Sequence, residues 1–263
     1  MKKIHFILQG KGGVGKSVVA SMLAQFLIEK KLDPFLLDTD PVNNSFFNVS
    51  SLKVKLLDIG GKDNKPIEQR KFDKLINTIR NEASEHFVID NGASSFIAFS
   101  NYFVVNNLAK VFESFNAKVV IHMIVTGGSA YKDTMQGMNA MLMQYPSSCS
   151  FILWMNHFFG DLLASDGKPF LQSDFFRSVH RRINGLIELP HYDGDLFSDD
   201  FSKLLKEHLT FNDVLDCVED KYDFMFIHRI SRVKEDVFSA IESGLLNANL
   251  IQLDDASIQN ESS

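Results

Sequence analysis

Apolar residues along this chain fall into two alternating kinds of stretch: short unbroken runs, and longer segments in which they recur every three to four positions. Residues 4–9 (IHFILQ) form an unbroken run that ends in glycines, and from Ser17 to Lys31 apolar side chains return at helical spacing, at Val18, Met22, Leu23, Phe26 and Leu27. The pattern predicts a strand, a loop and a helix. Asp33-Pro34 stops that helix, and FLLDTD (35–40) reads as a second buried strand with Asp38 and Asp40 at its C-terminal end. Residues 42–65 are polar and mixed, with a short strand expected in KVKLLDI (53–59). Pro66 then opens a helix that carries Phe72, Leu75, Ile76 and Ile79 on one face.

The alternation continues with strands at 86–90 (HFVID), 118–126 and 150–156, separated by helices at 96–115 and 129–144. A helix ending near Ile183, a short strand at 185–189 and helices at 199–209 and 222–243 complete the series. Strands alternating with helices predict a three-layer α/β/α fold around a mainly parallel central sheet. No internal repeat or Pro/Gly/Ser-rich linker divides the chain, so residues 1–246 are expected to form one domain and the polar residues 247–263 a flexible tail.

Composition adds exclusions. A chain of 263 residues, 45% apolar and 23% charged, is large enough for one substantial core. No window approaches roughly 18 uninterrupted apolar residues, and Met1-Lys2-Lys3 leads straight into a strand, so a cytoplasmic protein without membrane insertion is expected. Cys149 and Cys217 lie far apart and read as core thiols. A net charge of −6 argues against diffuse affinity for nucleic acid, so direct DNA binding is not favoured. The basic groups His180-Arg181-Arg182 and Arg229, Arg232, Lys234 read as solvated faces, and Met135, Met138, Met141 and Met143 as core packing. None of the eight histidines forms a metal-binding pair of the HExxH type.

The chemistry concentrates in LQGKGGVGKSVV (8–19). Gly10 to Ser17 satisfies the phosphate-loop pattern G-x-x-x-x-G-K-[ST], between an expected strand and an expected helix. Its glycines let backbone N–H groups converge on phosphate oxygens, and the helix N-terminus adds its positive end. Lys16 is then placed to reach the β- and γ-phosphates and the Ser17 hydroxyl to ligate Mg²⁺. Nucleotide contacts are expected from Gly10, Lys11, Gly12, Gly13, Val14, Gly15, Lys16, Ser17 and Val18. Asp38 and Asp40, closing a strand beside this loop, are carboxylates that could hold hydrated Mg²⁺ or orient an attacking water.

Lys11 is not demanded by the phosphate-loop pattern. With Gly12-Gly13 it makes the loop resemble the deviant Walker A motif, KGGxGK[ST], of the ParA/MinD superfamily of P-loop ATPases. The resemblance implies a P-loop NTPase that binds ATP/ADP and Mg²⁺, hydrolyses ATP slowly, and forms a homodimer in which Lys11 crosses to the partner's phosphates. It gives Lys11, Lys16 and Asp40 catalytic roles, with Asp40 orienting the water and Asp38 nearer the metal. It also makes Asp90 the Walker B aspartate that binds Mg²⁺ through water. Asn156 matches a strand-end asparagine that contacts adenine, and Pro190 a loop residue flanking the base. Two departures stand out: Val42 where relatives usually carry glutamine, and Asn91-Gly92-Ala93-Ser94-Ser95 where a pair of prolines often follows the Walker B aspartate. No guanine-reading asparagine-lysine-x-aspartate signature occurs, which favours ATP over GTP.

Within the superfamily, the lack of paired cysteines argues against the iron–sulfur carriers, and the polar C-terminus against a membrane-binding terminal helix. The blocks KIHFILQGKGGVGKS, DTDPVN, FVIDNGASSF and VKEDVFSAIES resemble a branch associated with conjugal DNA transfer and encoded on plasmids. That implies a protein partner in a DNA-transfer or localisation system. An ATP-driven dimer switch, a nucleotide-binding scaffold with negligible hydrolysis, and a partition-type ATPase that positions DNA or a protein complex all stay open at this level.

Overall fold

The computed structural model describes residues 1–40, 43–59, 68–164, 166–189, 191–192, 195–217 and 221–252. Seven strands form one sheet: β1 (Lys2–Leu8), β2 (Phe35–Asp38), β3 (Lys55–Leu56), β4 (His86–Asp90), β5 (Ala117–Thr126), β6 (Ser150–Asn156) and β7 (Gly185–Glu188). Their order is β3-β2-β4-β1-β5-β6-β7, and every pairing is parallel. Unbroken apolar runs suit such strands because helices cover both faces.

One face packs on α2 (Arg70–Asn81), α3 (Phe96–Val105), α4 (Leu108–Ser114), α5 (Tyr131–Gln144) and α6 (Asp174–Val179). Its core joins Ile4, Phe6 and Leu8 of β1 to Phe72, Phe99, Phe112 and Met138 of the helices. The other face packs on α1 (Lys16–Glu29), α7 (Asp195–Lys206), α8 (Phe211–Leu215) and α9 (Phe224–Asn247). There Ile7, Val88, Val120 and Trp154 meet Leu23, Phe26, Val237 and Ile241. The layer arrangement is the three-layer α/β/α fold expected from the alternation.

Several boundaries differ from the sequence reading, each for a local reason. The helix expected over 96–115 is two helices, broken where Asn107 takes a left-handed conformation (φ 50°) that asparagine tolerates. The helix expected from Pro66 is described from Arg70, and Pro66 lies outside the described residues. α8, not anticipated, is started by a capping box in which Thr210 and Asp213 satisfy each other's backbone N–H groups. The methionine run on α5 buries Met138 and Met141 but leaves Met143 79% exposed. α9 runs to Asn247, and Leu250 and Ile251 are buried behind it, so the packed chain reaches past residue 246; the tail beyond Gln252 lies outside the described residues.

A buried polar row crosses the middle of the sheet. Trp154 Nε1 donates to His122 Nδ1 at 2.8 Å, His122 Nε2 lies 2.9 Å from His5 Nδ1, and His5 Nε2 lies 3.3 Å from His86 Nδ1. An indole N–H can only donate, so each ring in turn accepts at Nδ1 and donates from Nε2. The row therefore has one direction and three neutral imidazoles. Burial pushes the pKa of His86 down to about 4 and of His122 to about 3, and lowers that of His5 as well.

Candidate functional site

Because the strands are parallel, the ends of β1, β2 and β4 open on one edge of the sheet, where strand order reverses around β1. Gln9, next after β1, anchors the loop there: its Nε2 donates to the carbonyls of Ile124 at 2.8 Å and Thr134 at 3.2 Å. Gly13 and Gly15 hold positive φ values of 73° and 96°, the conformation that lets successive N–H groups turn inward. α1 starts at Lys16 with Gly15 as its cap, so the loop ends on a helix N-terminus. Val14 is buried in the core beneath.

Lys16 is 7% exposed, and its Nζ donates to the carbonyl of Lys11 at 3.2 Å, folding back across its own loop. Burial lowers its pKa, against the pull of Asp90 and Asp40. Lys11 points outward and pairs with Asp133 Oδ2 at 2.8 Å, in the first turn of α5. Lys11 in turn holds the Asp133 carboxyl below the usual range.

The acids come from adjacent strand ends, with Asp38 and Asp90 paired in register. Asp38 is fully buried; Oδ1 accepts from Asp40 N at 2.9 Å and Oδ2 from Phe47 N at 3.0 Å. The two oxygens thus hold the backbone at Asp40 and at Phe47. Burial raises its pKa to about 6 in spite of those donors. Asp90 is buried with neither oxygen in a hydrogen bond of normal geometry to the described residues. Burial, then the charges of Asp38 and Asp40, push its pKa to about 7, while Ser17 and Lys16 pull it down. Asp40 is half-buried and accepts from Asn43 N at 3.2 Å.

Gly12, Gly13, Gly15, Lys16, Ser17, Val18, Asp40, Asn43, Ala93 and Ser94 line an open cleft of about 580 Å³, to which Leu205 and Leu209 also contribute. A smaller pocket of about 90 Å³ shares Gly15 and Val18 with it and is walled by Asn156, Phe158, Leu189, His191, Tyr192 and Phe197. Tyr192 and Phe197 stack at 4.4 Å. Asn156 is engaged locally: Nδ2 donates to Val14 O at 3.2 Å and Oδ1 accepts from Phe158 N at 3.0 Å. It pins the phosphate loop to the end of β6. Pro190 and Val42 lie outside the described residues, though the neighbours of Pro190 line the small pocket.

The structure thus gathers Lys16, Ser17, Asp38, Asp40 and Asp90 at one edge, with Lys11 on the rim. Sequence reading gave no role to Thr39 or Asp133, and noted Gly92 only as part of the loop after Asp90. Thr39 N donates to Asp90 O at 2.9 Å and Thr39 Oγ1 to Asp90 O at 3.0 Å and Asn91 Oδ1 at 3.1 Å, stitching the ends of β2 and β4 together. A glycine two residues past a strand-end aspartate was the available signal for Gly92; Asp133 has none, because its partner is 122 positions away on another element.

Residues 5–209 match the family described as the CobQ/CobB/MinD/ParA nucleotide binding domain. Two Escherichia coli proteins named TraL are each 35% identical over 243 residues, covering 92% of this chain and 98% of theirs. Among solved structures, the MinD cell division protein of Aquifex aeolicus superposes with a TM-score of 0.52 at 15% identity, covering 91% of this chain and 97% of that one, a likeness of fold. Among the described residues no helix is long and apolar enough to cross a membrane.

Proposed function

Since the chain belongs to the CobQ/CobB/MinD/ParA nucleotide-binding family, we propose that it is an ATP-driven dimerisation switch that hydrolyses ATP slowly and acts with a protein partner in conjugal DNA transfer. The observation that carries this reading is a buried Lys16 within electrostatic reach of Asp40 and Asp90, beside the ends of β2 and β4, while a second lysine of the same loop faces outward. Its likeness to the two TraL proteins supports the setting in DNA transfer.

In this reading the triphosphate lies along Gly10–Ser17, accepting from loop N–H groups, and Lys16 exchanges the Lys11 carbonyl for β- and γ-phosphate oxygens. The base enters the small pocket by Tyr192 and Phe197, with Asn156 at its edge. Asp90 and Ser17 suit a hydrated Mg²⁺: Asp90 presents two buried oxygens without partners of normal geometry, and the Ser17 hydroxyl lies close enough to lower its pKa. When bound, Mg²⁺ neutralises phosphate charge. Asp38 holds the backbone at Asp40 and at Phe47, and Asp40 lines the cleft. Asp40 orients a water whose oxygen bonds to the γ-phosphorus as the bond to the bridging oxygen breaks, giving ADP and phosphate, with the proton leaving on phosphate. Lys11 leaves Asp133 to meet phosphate charge across a dimer, which gives ATP its reason to drive pairing.

ATP binding and single-turnover hydrolysis by full-length Lys16→Ala and Asp40→Ala test the assignment. Lys16→Ala should lose ATP binding, and Asp40→Ala should bind ATP but hydrolyse it about 100-fold more slowly or worse. Wild-type hydrolysis by Asp40→Ala would remove that residue from the chemistry. Negligible hydrolysis by the wild-type protein, with partner capture equal in ATP, ADP and no nucleotide, would favour a scaffold instead.

A further inference from the structure

We infer that Gly92 is the seat of the Asp40 carboxylate, a positioning residue whose missing side chain fixes where that acid stands; the inference deepens the proposed role of Asp40 and rests on it for its kinetic consequence.

Gly92 is not a glycine of conformational necessity. Its φ of −58° and ψ of 150° are open to any L-residue. What forbids a side chain is Asp40: a Cβ at residue 92 would stand 2.5 Å from Asp40 Cγ, 2.6 Å from Oδ1 and 2.9 Å from Oδ2. All three distances are far inside van der Waals contact, so the carboxylate lies directly on the α-carbon of Gly92. Neither loop is free to withdraw. Thr39, the residue before Asp40, is held to Asp90 and Asn91 by three hydrogen bonds of 2.9 to 3.1 Å. On the other side, Ser95 N and Oγ both donate to the Gly92 carbonyl, at 3.2 and 2.9 Å.

With both backbones fixed, an added methyl group is relieved by turning the Asp40 carboxylate away. Asp40 is the short, half-buried side chain that gives way, and moving it forfeits the bond from Asn43 N. A displacement on the scale of an ångström at a water-positioning group costs on the order of 100-fold in rate. Gly92 therefore acts through Asp40.

The test is a double-mutant cycle on the full chain with Gly92→Ala, Asp40→Ala and the double variant, measuring Mg²⁺-ATP affinity, single-turnover hydrolysis and Tm. Gly92→Ala should bind ATP within about twofold of wild type and hydrolyse it roughly 10- to 100-fold more slowly. In the Asp40→Ala background, where the clashing carboxylate is gone, it should cost nothing further in rate and recover any loss in Tm. A wild-type rate in Gly92→Ala, or a Tm loss that Asp40→Ala does not relieve, would overturn the inference. If Gly92→Ala alone does not fold, recovery of fold in the double variant supports the seat and failure to recover contradicts it. A wild-type rate in Asp40→Ala would instead retire the catalytic role of Asp40, while the Tm cycle still decides whether Gly92 seats it.

Discussion

Lys11 and Lys16 share one loop and have opposite circumstances. Lys16 is buried, its charge disfavoured by desolvation and held by its own backbone and nearby acids, a state that a phosphate would relieve. Lys11 is exposed and occupied by Asp133. An intramolecular ion pair at that place competes with any phosphate the lysine is to meet, so Asp133→Asn should lower the ATP concentration at which the protein pairs. Both partners face solvent, which limits the shift to severalfold. An ATP titration followed by light scattering checks this, and an unmoved midpoint would mean that Asp133 does not restrain Lys11. Much of the site was legible at this scale, because the phosphate loop is a contiguous pattern and Asp38, Asp40 and Asp90 each close an apolar run. The Asp133 contact, the Thr39 stitch and the Gly92 seat were not, because each depends on which strand end lies beside which.

At the scale of elements, strands were read most closely: β4 and β6 have the expected ends, since unbroken β-branched and aromatic runs leave little choice once helices cover both faces. Helix ends moved where one residue decided them, as Asn107 did between α3 and α4, and α8 was missed although Thr210 and Asp213 spell a cap. The row His86–His5–His122–Trp154 was invisible in sequence, its members sitting 81, 117 and 32 positions apart and sharing only a face of the sheet. Lys3 presses further against protonation of His5 and His86, and the N-terminal amine against that of His86, where Glu85 favours it. These histidines have folded pKa values below the unfolded value near 6.5, so the stability they contribute is present above that pH and lost as pH falls toward about 4 for His86 and about 3 for His122. Asp38 and Asp90, with raised values, act in the opposite direction. Ring nitrogen shifts therefore isolate the row better than global stability does. At pH 5 the three rings should give neutral Nε2–H signals by ¹⁵N NMR, and an imidazolium at any of them would contradict the directed row.

For the whole molecule, several cations of the two basic clusters make intramolecular contacts, while His180, Arg181 and Arg232 stay exposed as expected of solvated faces. Arg182 donates to the Tyr145 carbonyl at 2.9 Å and to that of Leu142, Arg229 pairs with Asp200, Arg232 lies over Phe197, and Lys234 reaches Glu29 at 3.1 Å. These contacts brace helices at the surface. Lys11 stands on the outer rim beside the cleft that, in the proposed reading, takes the triphosphate. The central claim is that ATP, and not ADP, joins two copies through that rim. It is tested most directly by the solution molar mass of wild-type, Asp40→Ala and Lys11→Ala protein, each with Mg²⁺ and ATP or ADP. The account predicts a doubled mass with ATP alone, more persistent in Asp40→Ala and absent in Lys11→Ala; an unchanged monomer with ATP demonstrably bound would contradict it.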